Sequence, residues 1–141
     1  MKALNEFLEK FTEEKIETVV KKGRNYYAAD EELQKLAGGI DRDFFSIGIP
    51  LGEYKNDFRP SLALLEWLSK KSEKKAFINK KAEWMFLCGR DAFANNIVNS
   101  NVKNGLVLVQ NEKDENLGLG LLNEKGIKNI LDRGDFLRRE K

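Results

Sequence analysis

Histidine is absent from all 141 residues, and cysteine occurs once. The first absence removes Ser-His-Asp and Cys-His nucleophilic machinery and every His-containing metal site. A lone Cys88 cannot close an internal disulfide, and its place in the apolar run WMFLC makes it a small core residue of a reducing compartment. Long hydrophobic runs are lacking as well. None approaches the ~20 residues that a membrane span requires, and the opening MKALNEFLEK carries acids where a signal peptide has its apolar region. These absences weigh heavily against an enzyme and predict no metal, no cofactor and no membrane partner.

A strong charge of either sign is also missing: the net charge is +2 and the sequence pI about 8.6. Residues 1–75 hold 14 basic and 14 acidic side chains, so the excess lies in residues 76–141, which hold 11 and 9. Arg138, Arg139 and Lys141 gather at the end of that half.

What is present suffices for one ordinary domain or two small ones, with 41% hydrophobic residues for a core. Leu4, Phe7, Leu8 and Phe11 recur at i, i+3, i+4 and i+7, which predicts an amphipathic helix over 2–14. Thr18-Val-Val and Asn25-Tyr-Tyr flank KKGR as a hairpin, with Tyr26 and Tyr27 on opposite faces. Asp30 can cap a short helix through Ala37 that Gly38 and Gly39 end. FFSIGIPLGEYK, broken by Gly48, Pro50 and Gly52, reads as a bent edge strand, without the Lys-Ser/Thr ending of a phosphate loop. Pro60 fits the start of a helix that buries Leu62, Leu65 and Leu68, widened by Leu64 and Trp67, and stops near Ser69.

KKSEKK, from Lys70 to Lys75, is either a linker or a solvated last helical turn; read as a linker, it divides the chain into 1–74 and 75–141. Beyond it come a strand at Ala76, a helix from Lys80 to Cys88 with Glu83 facing solvent, and Gly89 as its left-handed cap. GLVLV, QNEKDEN and LGLGLL form strand, polar turn, strand. Gly118 and Gly120 leave one sheet face bare, for internal packing by preference or for a ligand.

AEWMFLCGRD, the GLVLV and LGLG strands and the ending GDFLRRE together resemble the RNA-binding PUA module as it occurs in the Nip-seven family of ribosome-assembly factors. Tyr26 to Leu68 is similar to that family's N-terminal domain in element order. The resemblance implies an α+β protein, an N-terminal helix-on-sheet domain followed by a C-terminal PUA-like mixed β pseudobarrel. It implies a non-catalytic, cytoplasmic RNA binder of archaeal type that acts in large-subunit pre-rRNA processing, with other assembly proteins and the exosome as partners. Arg90, Lys103, Arg138 and Arg139 are the matching RNA-binding positions, and the charge pattern adds Arg133 and Lys141. Arginine suits the role because its fork of donors grips phosphate oxygens in pairs. The stretch ANNIVNSN departs from the family in supplying neutral asparagines where lysine is common.

Competing readings use the same residues. Asp132 and Asp135 open the last helix and the arginines close it, an arrangement that the helix dipole alone accounts for. Asp41 with Asp43 reads as turn chemistry, with nothing nearby to set up a shared proton. Trp67, Trp84, Phe77 and Phe86 lie in apolar runs and are assigned to the core, which leaves Phe93 and Tyr54 for stacking on bases. A protein-interaction module without RNA affinity, and an accessory subunit of an RNA-modification or RNA-degradation complex, are the alternative functions.

Overall fold

The computed structural model describes residues 2–16, 19–28 and 49–135. The expected helix after Asp30, the Asp41–Asp43 pair, Gly48, and Arg138, Arg139 and Lys141 lie outside the described residues. The chain divides into two compact units, Met1–Lys71 and Ser72–Lys141.

In the first unit, α1 (Lys2–Glu9) buries Leu4, Phe7 and Leu8. It is shorter than its periodicity predicts. Lys10 and Phe11 donate to the carbonyls three residues back, and Thr12 Oγ1 then takes the amide of Glu14 at 3.1 Å, which turns the chain out of the helix. Phe11 still reaches the core and meets Phe7 at 5.4 Å between ring centroids.

The sheet of this unit runs β1 (Val19–Lys22), β2 (Asn25–Ala28), β3 (Ile49–Tyr54), β4 (Phe58–Pro60). The β1–β2 hairpin turns at Gly23, with Tyr26 buried and Tyr27 half-buried on the other face. β3 is an inner strand and not the edge that its proline suggests. Pro50 is tolerated there because β4 pairs only as far as Gly52, and the β2–β3 register slips between Tyr26 and Tyr27. Pro60 ends β4, and Ser61 caps α2 (Leu62–Lys71) by accepting from Leu64 N at 3.1 Å. The helix buries Leu64, Leu65, Trp67 and Leu68, while Leu62 is only half-buried.

Of KKSEKK, Lys70 and Lys71 finish α2, and Lys75 opens β5 (Lys75–Ile78). The rest of the second unit is α3 (Lys80–Leu87), β6 (Ala92–Phe93), a 3-10 turn (Ala94–Asn96), β7 (Ile97–Ser100), β8 (Gly105–Gln110), β9 (Asn116–Asn123) and β10 (Gly126–Asp132). Six strands in the order β6-β10-β9-β8-β5-β7 curl into a nearly closed pseudobarrel. Every pairing is antiparallel except β5 with β8. The molecule is thus α+β, a helix-on-sheet unit followed by a PUA-type pseudobarrel.

Asn79 starts α3 by accepting from Ala82 N at 2.9 Å, and Gly89, at φ +92°, ends it as expected. This phase turns Ala82 and Phe86 into a core shared with Ala76, Ile78, Val107, Val109, Leu117, Leu122 and Ile127. Trp84, two residues from each, is therefore turned outward and is 71% exposed, contrary to its assignment to the core. Phe77 is half-buried, because its strand turns Ala76 and Ile78 inward.

Cys88 is exposed, not buried, because it forms the helix cap beyond the inward face. It is expected to react with a maleimide about as fast in the native protein as in denaturant. Protection typical of a core thiol in that comparison would show the phase of α3 to be wrong.

Candidate nucleic-acid interface

The β8–β9 loop is built as a rigid wall. Asn111 Oδ1 accepts from Lys113 N and Glu115 N, both at 2.9 Å, in the local ring that asparagine forms at turns. Asp114 takes positive φ and receives Lys75 Nζ at 3.0 Å and Gln110 Nε2 at 2.9 Å. Gln110, fully buried, accepts in turn from Asn116 Nδ2 at 2.7 Å. Among the described residues Asn116 Oδ1 is buried without a donor.

Against this loop lie α3 and the start of the last helix, where Asp132 Oδ1 caps Asp135 N at 2.8 Å. Two adjoining hollows, about 320 and 480 Å³, share Glu83, Asn111 and Glu115 as lining. Lys80, Glu112 and Lys113 complete the first, and Leu87, Asn116, Leu117, Arg133 and Gly134 the second. Glu83 was expected to face solvent, yet it is half-buried: the amide of Asn111 donates to it at 3.3 Å and to Glu115 at 2.8 Å. Lys80, Lys113 and Arg133 are thus balanced by Glu83, Glu112 and Glu115. Such a mixed lining orients a polar ligand more readily than it holds a polyanion.

The described cations named from the sequence do not form one rim. Arg133 is half-buried and donates from Nη1 to the carbonyl of Asn116 at 3.4 Å, at the loop end of the β8–β9 pair. Lys103 is exposed just before Gly105, at the opposite end. Five residues of strand separate these ends, roughly 17 Å at the rise of extended chain. Arg90, also exposed, stands beside the middle of β10, where Asn129 Nδ2 reaches its carbonyl at 3.3 Å.

The asparagines of the departing stretch are partly structural. Asn96 Oδ1 accepts from Asn79 Nδ2 at 3.1 Å, and Asn101 Nδ2 donates to the Glu73 carbonyl at 3.0 Å. Gly118 and Gly120 serve internal packing: a Cβ on the first would meet the Leu131 carbonyl oxygen, and on the second the Ile127 side chain. Phe93 and Tyr54 are 62% and 42% exposed and remain open to a ligand. Sequence reasoning missed Lys80, Lys81 and Trp84 on α3. The i, i+4 spacing of Lys80 and Trp84 was a signal for a common face, but not for which way that face points.

A mixed pseudobarrel opened by a strand and crossed by one helix defines a PUA-domain protein, a class that typically binds RNA. Residues 74–141 match the UPF0113 PUA domain. A UPF0113 protein of Archaeoglobus fulgidus is 30% identical over 139 residues, covering 87% of this chain and 79% of its own length. The chain belongs to the UPF0113 family. A conserved PUA domain protein of Thermoplasma acidophilum is similar in fold, with a TM-score of 0.52 at 23% identity over 64% of this chain and 69% of its own. So is a hypothetical protein of Pyrococcus horikoshii, with a TM-score of 0.52 at 19% identity over 86% and 77%. Among the described residues no helix is long and apolar enough to cross a membrane.

Proposed function

We propose that the protein is a non-catalytic RNA-binding factor of large-subunit ribosome assembly, of the Nip-seven kind, acting in the cytoplasm of an archaeal cell. The observation that carries this reading is the match of residues 74–141 to the UPF0113 PUA domain, together with the six-strand pseudobarrel between Lys75 and Asp132. The order of the chain supports it, since a helix-and-sheet unit precedes that domain as the Nip-seven resemblance implies. The mechanism is occupancy. The second unit holds pre-rRNA through separate cationic points, Arg90, Lys103 and Arg133 together with Arg138, Arg139 and Lys141, while the first docks on assembly proteins, the exosome among them.

Arg138 and Arg139 give the direct test. If they contact phosphates, replacing both by alanine weakens binding of single-stranded RNA with little dependence on its sequence. Each lost phosphate contact lowers the slope of log affinity against log salt by roughly 0.7, so the double variant flattens it by about 1.4. A slope left intact, with a loss of about 0.5 to 1 kcal/mol in stability, would assign the pair to the helix dipole alone. Crosslinking in cells followed by sequencing of the attached RNA identifies the ligand. Recovery of assembly proteins without RNA would instead make the chain a protein-interaction module.

A further inference from the structure

We propose that the outer face of α3 is a stacking platform for single-stranded RNA, with Trp84 receiving a base; this rests on the RNA-binding reading above. At ~100° per residue, Lys80, Trp84 and Cys88 stand one above another at i, i+4 and i+8. Lys81 flanks Trp84 on the same exposed side, and Arg90 is exposed just past the cap. Ala82 and Phe86, buried in the barrel, fix the opposite side.

Trp84 is the most exposed large apolar side chain among the described residues. Among the described residues no aromatic ring is paired with its indole. The nearby acids are drawn away from it: Glu83 is turned to Asn111 in the cleft, and Asp91 Oδ1 accepts from Asn129 N at 2.8 Å. The stripe is therefore an indole set beside Lys81 and Arg90, with Lys80 on the edge that it shares with the charge-balanced cleft.

Charge complementarity selects the occupant. An apolar protein surface would bury Lys80 and Lys81 against itself at a desolvation cost. A single strand presents a flat base to the indole and phosphates on either side to the lysines and Arg90, the combination found wherever single strands are held without base readout. The platform thus supplies what the departing asparagine stretch lacks, a cationic edge, from a different element of the same unit.

Tryptophan emission tests this directly, because the other indole, Trp67, is 3% exposed in the first unit. Titration with a short single-stranded RNA of mixed sequence is expected to quench the wild-type protein, and the quenching to vanish in Trp84→Phe, which still binds in a mobility-shift assay. Trp84→Leu, apolar but without a ring, is expected to bind roughly ten-fold more weakly, the loss of one stacked base, with the salt slope unchanged because no phosphate contact is lost. Bound RNA should also slow maleimide labelling of Cys88.

Equal affinity of the Leu and Phe variants would overturn stacking. So would RNA binding by the wild type with neither quenching nor protection of Cys88, and in both cases the RNA-binding function would stand. Absence of any RNA shift in the wild type would remove the function and the platform together.

Discussion

Gly118→Ala is expected to be among the most damaging single-methyl changes in the second unit. The new Cβ would collide with the carbonyl oxygen of Leu131 and lie 2.8 Å from Asp132 Cα, both backbone atoms of β10 that cannot rotate away. The φ of +146° is also one that side chains rarely adopt. Overpacking costs about 1–3 kcal/mol and a strained backbone a further ~1–3 kcal/mol, so the loss is on the order of 4 kcal/mol. A domain of this size has only about 4–10 kcal/mol in all. Gly105→Ala is the control, since its φ of +100° is strained while nothing lies within 4 Å of the new atom. Chemical denaturation followed by circular dichroism should place Gly118→Ala well below Gly105→Ala. Equal midpoints would mean that β9 and β10 are not in such close approach.

Phe86→Ala is expected to cost about 3–5 kcal/mol, the range for emptying an aromatic from a closed core. Phe86 is fully buried and is the largest side chain that α3 sends into the barrel, beside Ala76, Ala82 and Ala92, which are too small to fill the space left behind. Phe86→Leu should recover much of the loss, because it leaves a smaller void. The measurement is the denaturant midpoint of each variant. A loss under 1 kcal/mol for the alanine variant would show that α3 does not close the core.

The same helix shows how much the sequence could tell. Its extent and its Gly89 cap were legible from local chemistry, but WMFLC is apolar on every side and contains no periodic contrast from which to read a face. The phase is set by the Asn79 cap and by the pull of Phe86 into the barrel, so Trp84 and Cys88 come outward. The β8–β9 hairpin was legible for the opposite reason: two strands, a polar turn and paired glycines all agree. For β3, Pro50 carried the right rule to the wrong place, since the freedom from a partner it requires comes from β4 ending at Pro60. Of the interface, the charges were legible and their grouping was not. The bond from Arg133 to the Asn116 carbonyl, and the strand length between Arg133 and Lys103, arise from pairings distant in sequence.

The parallel pairing of β5 with β8 bears on how the second unit assembles. β8, β9 and β10 follow one another through short turns, so their ladders can form early with little loop entropy to overcome. β5 can join β8 only once residues 79–104 have been arranged, a closure that carries α3, β6 and β7 with it. Contacts of long sequence separation form late and slow the reaction. A nucleus in the meander with late docking of β5 follows. Weakening Lys75–Asp114, the ion pair that ties β5 to the β8–β9 loop, should then speed unfolding while leaving the refolding rate nearly unchanged.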